Sequence, residues 1–106
     1  MIITPASEIA GKKVVETLGL VRGNTIRARN LGRDIVAVIK NIIGGEIEEY
    51  TKMMGQAREQ AISRMVLEAE ELGADAVTDL RFTTSVVMGG AAEILAFGNA
   101  VRLEQE

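Results

Sequence analysis

The sequence predicts a two-layer α+β domain whose elements follow the order strand, helix, helix, strand, strand. Three observations carry this prediction. A β-branched run lies near the N-terminus, apolar residues recur at helical spacing through the middle, and two alternating segments near the C-terminus flank a double glycine. The chain has 106 residues, 47% of them hydrophobic and 25% charged, which is typical of one folded domain over residues 1–106.

The first strand is predicted over residues 14–23, a segment rich in valine and leucine. Gly23 and Asn24 form a turn signal, so we expect the strand to end there. Gly19 lies inside the run, which indicates a β-bulge or a close neighbour at that position.

Two helices are predicted next. The first covers residues 32–43; residues 35–39 would also suit a buried strand, but the cap and glycine signals at its ends favour a helix. The second covers residues 46–72 and ends at Gly73. Its apolar positions form one continuous stripe on the helix surface. The stripe consists of Tyr50, Met54, Ala57, Ala61, Met65, Ala69 and Leu72.

The last two strands are predicted over residues 80–86 and 92–103, joined by a turn at residues 89–90. One face of the last strand carries small residues against which a helix could lie closely. These are Ile94, Ala96, Gly98 and Ala100. Its other face carries Leu95, Phe97 and Val101 and therefore needs a cover.

The long helical connection between the first and second strands predicts that these two strands pair in parallel. The hairpin that follows is antiparallel, so the expected sheet is mixed, three-stranded and covered by two helices on one face. Such a sheet has two free edges and one uncovered face. We therefore expect a homo-oligomer; cover by the N-terminal segment and the loops is the alternative.

The composition excludes several functional classes. The chain has no cysteine and no histidine, so it offers no thiolate nucleophile, no imidazole base and no Cys/His zinc site. Its net charge is −3 and its basic residues are scattered, which argues against nucleic acid as a partner. The nearest basic group, Arg22, Arg27, Arg29 and Arg33, is interpreted as a solvated edge, with an anion site as the alternative. No apolar run approaches the roughly 20 residues of a membrane span, and no signal-peptide pattern is seen, so a cytoplasmic location is expected.

The candidate ligand-binding residues are Asn30, Arg33, Asp34, Tyr50 and Arg58. In the functional interpretation, Arg33 holds an anion that Asp34 or Tyr50 orients, and an enzyme would use Asp34 and Arg33. In the structural interpretation, which we favour, the carboxylate of Asp34 stabilises a helix N-terminus and the arginines form ion pairs. No catalytic residue and no cofactor follow from the sequence.

A second candidate set consists of Glu46, Glu48 and Glu49, whose carboxylates could hold a hard cation. Successive helical residues diverge around the axis, so one chain alone makes a poor cage, and repetition around a ring would make a better one. Acidic residues that favour a helix N-terminus explain the same pattern. Met53, Met54 and Met65 fall at or near the apolar stripe, which favours core packing over copper binding.

Several short segments, in their order and spacing, carry a family resemblance. They are Gly19-Leu20-Val21-Arg22-Gly23, Ala28-Arg29-Asn30, Gly32-Arg33-Asp34, Ile42-Ile43-Gly44-Gly45, Gln56-Ala57-Arg58-Glu59-Gln60-Ala61, Leu72-Gly73-Ala74-Asp75-Ala76-Val77 and Gly98-Asn99-Ala100-Val101, with Tyr50 between them. The chain resembles the uncharacterised YbjQ-like family, which is sometimes labelled heavy-metal-binding.

The resemblance implies a small α+β subunit of a ring, a pentamer in the family. Two positions depart from the family pattern. Glu46 to Glu49 replace a small or basic turn, and Asn99 stands where the family usually has threonine. The resulting expectation is a non-enzymatic oligomeric protein that binds a small ligand or partner at subunit boundaries. A metal-ion-binding protein that uses carboxylates is the alternative.

Overall fold

A computed structural model describes residues 1–27, 48–87 and 91–106 of the chain. These residues form strands β1 (Ile2–Ile3), β2 (Lys12–Arg27), β3 (Ala76–Val87) and β4 (Ala91–Gln105), and helix α1 (Glu48–Glu71). The α+β class is confirmed, but the described part contains four strands rather than three. The helix predicted over residues 32–43 and the turn at residues 89–90 lie outside the described residues.

The strand order in the sheet is β1-β3-β4-β2. The predicted parallel pairing of the two long strands β2 and β3 is wrong, because β4 lies between them and is antiparallel to both. A helical connection makes two strands run in the same direction, but it leaves room for a third strand between them. The returning arm of the β3–β4 hairpin fills that place, where it gains a hydrogen-bonded neighbour on each side. The sheet is still mixed, since β1 pairs with β3 in parallel.

Helix α1 packs on one face of this sheet through the stripe that its sequence predicts. Ala57, Ala61, Met65 and Ala69 are buried against residues of all three long strands. The strand side of the core consists of Val21, Val77, Ile94, Ala96 and Ala100. The small face predicted for β4 is therefore the face that meets the helix. Met54 is partly buried and packs against this core, as predicted, and its neighbour Met53 is buried as well. One position differs, since Leu72 is exposed just beyond the helix end.

Gly23 does not end a strand, as its turn signal predicts, because β2 continues to Arg27. Instead, it lies where β2 passes beneath α1. A Cβ atom at this position would collide with the backbone of Ala61 and Met65 and would lie 2.8 Å from the Cβ of Arg64. The same crossing is stabilised by a hydrogen bond of 2.6 Å that the Arg64 Nη1 donates to the Asn24 carbonyl oxygen. Gly23 is thus required for close helix–strand packing.

Two other glycines behave as the sequence predicts. Gly19 has a φ of +137° and lies at a register shift between β2 and β4, which confirms the bulge. Gly73 has a φ of +77° directly after α1, which confirms the predicted stop.

Residues 4–11 cross the sheet from the β1–β3 edge to the start of β2 at the opposite edge. The segment is held by backbone hydrogen bonds to β3: the Thr4 amide donates to the Val77 carbonyl oxygen (3.0 Å), and the Asp79 amide donates to that of Ala6 (3.0 Å). The crossing lies on the face opposite α1, since Arg81 on that face donates to the Pro5 carbonyl oxygen. One end of this face is therefore covered from within the chain.

Candidate functional site: an open sheet face

The face of the sheet opposite α1 is left open over most of its length by the residues that the structure describes. The strand register aligns its residues in rows across β2, β4 and β3. Three of these rows are Arg22–Phe97–Arg81, Asn24–Leu95–Thr83 and Ile26–Glu93–Ser85. We call these nine residues together with Leu20 the open face. Leu95 and Phe97 lie on it, as their alternation predicts.

The open face exposes large apolar side chains next to charged ones. Leu20 is 60% exposed and Ile26 is 57% exposed, both on the edge strand β2. Leu95 and Phe97 on the central strand are half-buried by their neighbours. No element among residues 1–27, 48–87 and 91–106 packs over these side chains. A contiguous apolar surface with a polar surround is typical of an interaction site.

The charges of the open face are arranged in rows. Arg22 and Arg81 flank Phe97 on either side, and Glu93 lies two rows away on the central strand. Arg81 is held in place, because its Nη1 donates to the carbonyl oxygens of Pro5 (2.9 Å) and Leu80 (2.8 Å). Within the described residues, one ion pair is found, between Arg102 Nε and Glu16 Oε1 at 3.4 Å. The charges of the open face thus have no oppositely charged partner within 4 Å there.

A cluster around Asp79 marks the boundary between the covered and the open part of this face. The Ser7 hydroxyl donates to Asp79 Oδ1 (2.6 Å), and Asn99 Nδ2 donates to Asp79 Oδ2 (3.2 Å). Asp79 has a φ of +56° and lies in the irregularity of β3 between Thr78 and Arg81. Asn99 therefore helps to hold the N-terminal segment on the sheet.

These contacts lower the pKa of Asp79 below its usual value. The hydrogen bond from Ser7 is the largest cause; burial opposes it, and Asn99, Thr78 and the positive charge of Arg81 add smaller contributions in the same direction. The carboxylate is therefore kept ionised. Sequence patterns do not reveal this cluster, because Ser7 and Asn99 are far from Asp79 along the chain. The local signal is an aspartate inside a strand, where this residue type is depleted.

A pH-dependent contribution to stability follows from the lowered pKa of Asp79. It is present above the unfolded-state pKa of about 3.9 and is lost as the pH falls through the lower folded-state pKa. We expect Asp79→Asn to flatten the fall of the melting temperature below about pH 4, measured by circular dichroism at a series of pH values. Glu71→Gln at the exposed end of α1 is the matched control. Identical acid profiles for Asp79→Asn and the wild-type protein would contradict this role.

The residues predicted from the sequence as a site are only partly described. Asn30, Arg33, Asp34 and Glu46 lie outside the described residues. Glu48, Glu49 and Tyr50 belong to the first turn of α1, and nothing is described of their side chains. Arg58 is exposed in the first half of α1. Both predicted sets therefore remain predictions.

No group of three or more Asp or Glu side chains that could hold a metal ion is found within the described residues. In the same residues, no helix has the length and apolarity of a membrane span. The predicted carboxylate set at the start of α1 is not tested by this finding, because it includes residues outside that part of the chain.

Comparison with known proteins identifies the relatives of this chain. A family model described as "Putative heavy-metal-binding" matches residues 1–104. The chain belongs to the YbjQ-like family. A UPF0145 protein of Halorubrum lacusprofundi is 59% identical over 103 residues, covering 97% of this chain and 99% of its own. A UPF0145 protein of Methanosarcina acetivorans is 55% identical over 103 residues, covering 97% of both chains.

The fold also matches a solved structure. A crystal structure from Pediococcus pentosaceus, of a protein with unknown function in the DUF74 family, superimposes with a TM-score of 0.71 and covers 98% of each chain. Its sequence identity to this YbjQ-like chain is 19%, so this likeness concerns the fold alone. The family resemblance carried by the short segments is confirmed.

Proposed function

We propose that this YbjQ-like chain is a non-enzymatic subunit of a homo-oligomer in which the open face forms a subunit boundary that binds a ligand or partner. The observation that carries the proposal is a sheet face over which none of the described residues packs, apart from the N-terminal segment at one end. Leu20 and Ile26 are largely exposed there, next to Leu95 and Phe97. Aromatic and arginine side chains, such as Phe97 and Arg22, are enriched in protein interfaces. A second copy of the chain supplies the missing layer.

The charge pattern favours one arrangement of two copies. In one arrangement, the strands of the second copy run in the opposite direction and the two rows that contain Leu95 are in contact. The row of Arg22 and Arg81 then lies opposite the partner's row that contains Glu93. If the strands run in the same direction, arginine rows lie opposite each other, which is unfavourable. Packed sheets are about 10 Å apart, a gap that long arginine side chains can span. The favoured contact is self-complementary and twofold.

The ring of five subunits that the family resemblance implies needs a further, head-to-tail contact. Strand β2 forms one edge of the sheet among the described strands, and the backbone groups along its outer side would pair with a neighbouring subunit in such a contact. The two contacts are compatible, since one uses the sheet face and the other uses the sheet edge.

The non-enzymatic part of the proposal is supported by the chemistry of the chain. Cysteine and histidine, the commonest nucleophile and general base, do not occur in the sequence. Asp79 has a lowered pKa, which makes it a weak general base, and the Ser7 hydroxyl hydrogen is already donated to it. Both groups hold the N-terminal segment in place.

Metal binding, the property in the family description, is the second candidate. Heavy metals prefer thiolate and imidazole ligands, which this chain lacks. The thioethers of Met53 and Met65 are buried in the helix–sheet core. A metal site would therefore have to use carboxylates, which is why we rank it second.

Native mass spectrometry of the protein purified without added metal tests the proposal. An even number of subunits supports the twofold face contact, and ten subunits support the face and edge contacts together. Five subunits support a ring but contradict the face contact. A folded monomer at micromolar concentration would overturn the assembly, and excess mass of a metal ion on each subunit would favour the second candidate.

A further inference from the structure

The helix-facing side of β2 ends in two polar residues whose hydrogen-bonding groups are buried. Thr25 faces α1 and is 2% exposed. Its hydroxyl oxygen is inaccessible and has no hydrogen-bond partner in the described part of the chain. A buried hydroxyl without a partner is unfavourable, so natural proteins rarely leave one in this state. Thr25 is thus unlike the alanines and Ile94 that surround it in the core.

Arg27 lies two residues further along the same face of β2. Its Nη2 donates to the Gln60 Oε1 of α1 (3.0 Å), which fixes the guanidinium against the helix. Its Nε is buried and has no hydrogen-bond partner among the residues that the structure describes. No carboxylate lies within 4 Å of this guanidinium in that part of the chain. Arginine is always charged, so the described residues leave this partly buried positive charge without a counter-charge.

Together these groups have the composition of an anion site. Residues two apart on a strand lie roughly 7 Å from each other and point to the same side. A small oxyanion placed between them would accept hydrogen bonds from the Thr25 hydroxyl and the Arg27 Nε, and its charge would neutralise the guanidinium. Gln60 contributes by holding the guanidinium in position.

We infer that Thr25 and Arg27, positioned by Gln60, form a binding site for a small oxyanion, either a phosphate or a carboxylate group, between β2 and α1. The site lies within one chain. It therefore does not depend on the proposed assembly through the open face, which is on the other side of the sheet.

Thermal unfolding and calorimetry with inorganic phosphate, and separately with acetate, test the inference. We expect one of the two anions to raise the melting temperature in a saturable way, which identifies the preferred group. Arg27→Gln is expected to abolish this rise, and Thr25→Val is expected to weaken binding roughly tenfold. Lys13→Gln is the matched control, because Lys13 is an exposed cation at the other end of the same strand.

Thr25→Val serves as its own folding check. Without anion, this variant should be at least as stable as the wild-type protein, since it removes a buried hydroxyl that has no partner. A wild-type protein that gives no saturable response to either anion would overturn the site. An equal response of Arg27→Gln and the wild-type protein would do the same. Native mass spectra of the same variants show whether assembly is affected independently of anion binding.

Discussion

Replacing Gly23 with alanine is expected to destabilise the protein by about 3 kcal/mol or more. The added Cβ would occupy the space of the Ala61 and Met65 backbone. Overpacking of a core costs about 1–3 kcal/mol when flexible side chains can move aside, and more when they cannot. Here the obstacle is a helix backbone, so α1 has to move away from β2 as a whole. That movement would also loosen the core cluster to which Val21 and Met65 belong.

Urea unfolding followed by circular dichroism measures this effect. Gly55→Ala is the matched control, because Gly55 is also a glycine of the β2–α1 region but has open space beside it, with Arg58 Nη2 at 3.9 Å as its nearest atom. In a helix interior, alanine is favoured over glycine by about 1 kcal/mol, so Gly55→Ala should be stabilising. Equal free energies of unfolding for the two variants would show that α1 does not approach β2 at Gly23 as closely as the structure indicates.

Reversing the charge of Glu93 is expected to break the proposed face contact. In Glu93→Arg, each added cation faces the partner's row in which Arg22 and Arg81 flank Phe97, and like charges across an interface cost several kcal/mol. We expect the contact to weaken by at least a hundredfold, so that the subunit number observed by native mass spectrometry at low micromolar concentration halves. Glu93 is half-buried on the sheet surface, so the fold of the subunit should persist.

Restoring complementary charges tests whether the effect is specific. Adding Arg22→Glu and Arg81→Glu to Glu93→Arg places acidic rows opposite the new arginine and should recover the wild-type subunit number. Glu71→Arg makes the same charge change at the exposed end of α1 and should leave assembly unchanged. If Glu93→Arg keeps the wild-type subunit number, the open face is not the subunit boundary.

The Asp79 cluster connects the fold to this boundary. Ser7 and Asn99 hold the N-terminal segment over one end of the sheet, and the described residues leave the rows beyond Asp79 uncovered. The Asn99 side-chain amide reaches the Asp79 carboxylate from the neighbouring strand β4, which gives this residue a structural role.

Sequence patterns predict those features that depend on local periodicity. The helical stripe over Ala57 to Ala69, the alternation of β4 and the glycine stop at Gly73 were all predicted and all recur in the structure. The side of β4 that meets the helix was predicted as well, because small residues at every second position permit a close approach. Arg27 belongs to the group of arginines that the sequence offers as an alternative anion site, whereas no spacing or motif distinguishes Thr25.

Only the tertiary structure decided which strands are neighbours and why Gly23 is a glycine. Strand β4 lies between β2 and β3, because the β3–β4 hairpin folds back into the space between those two strands. The alternation of side chains along a strand does not indicate which strands pair with it. Gly23 and Asn24 form a typical turn pair. A glycine is nevertheless required here because the backbone of α1, some 40 residues further along the chain, leaves no room for a Cβ atom. Local periodicity thus determined the described helix and strands of this protein. Long-range packing determined the order of the strands in the sheet and which face of the sheet the described residues leave open.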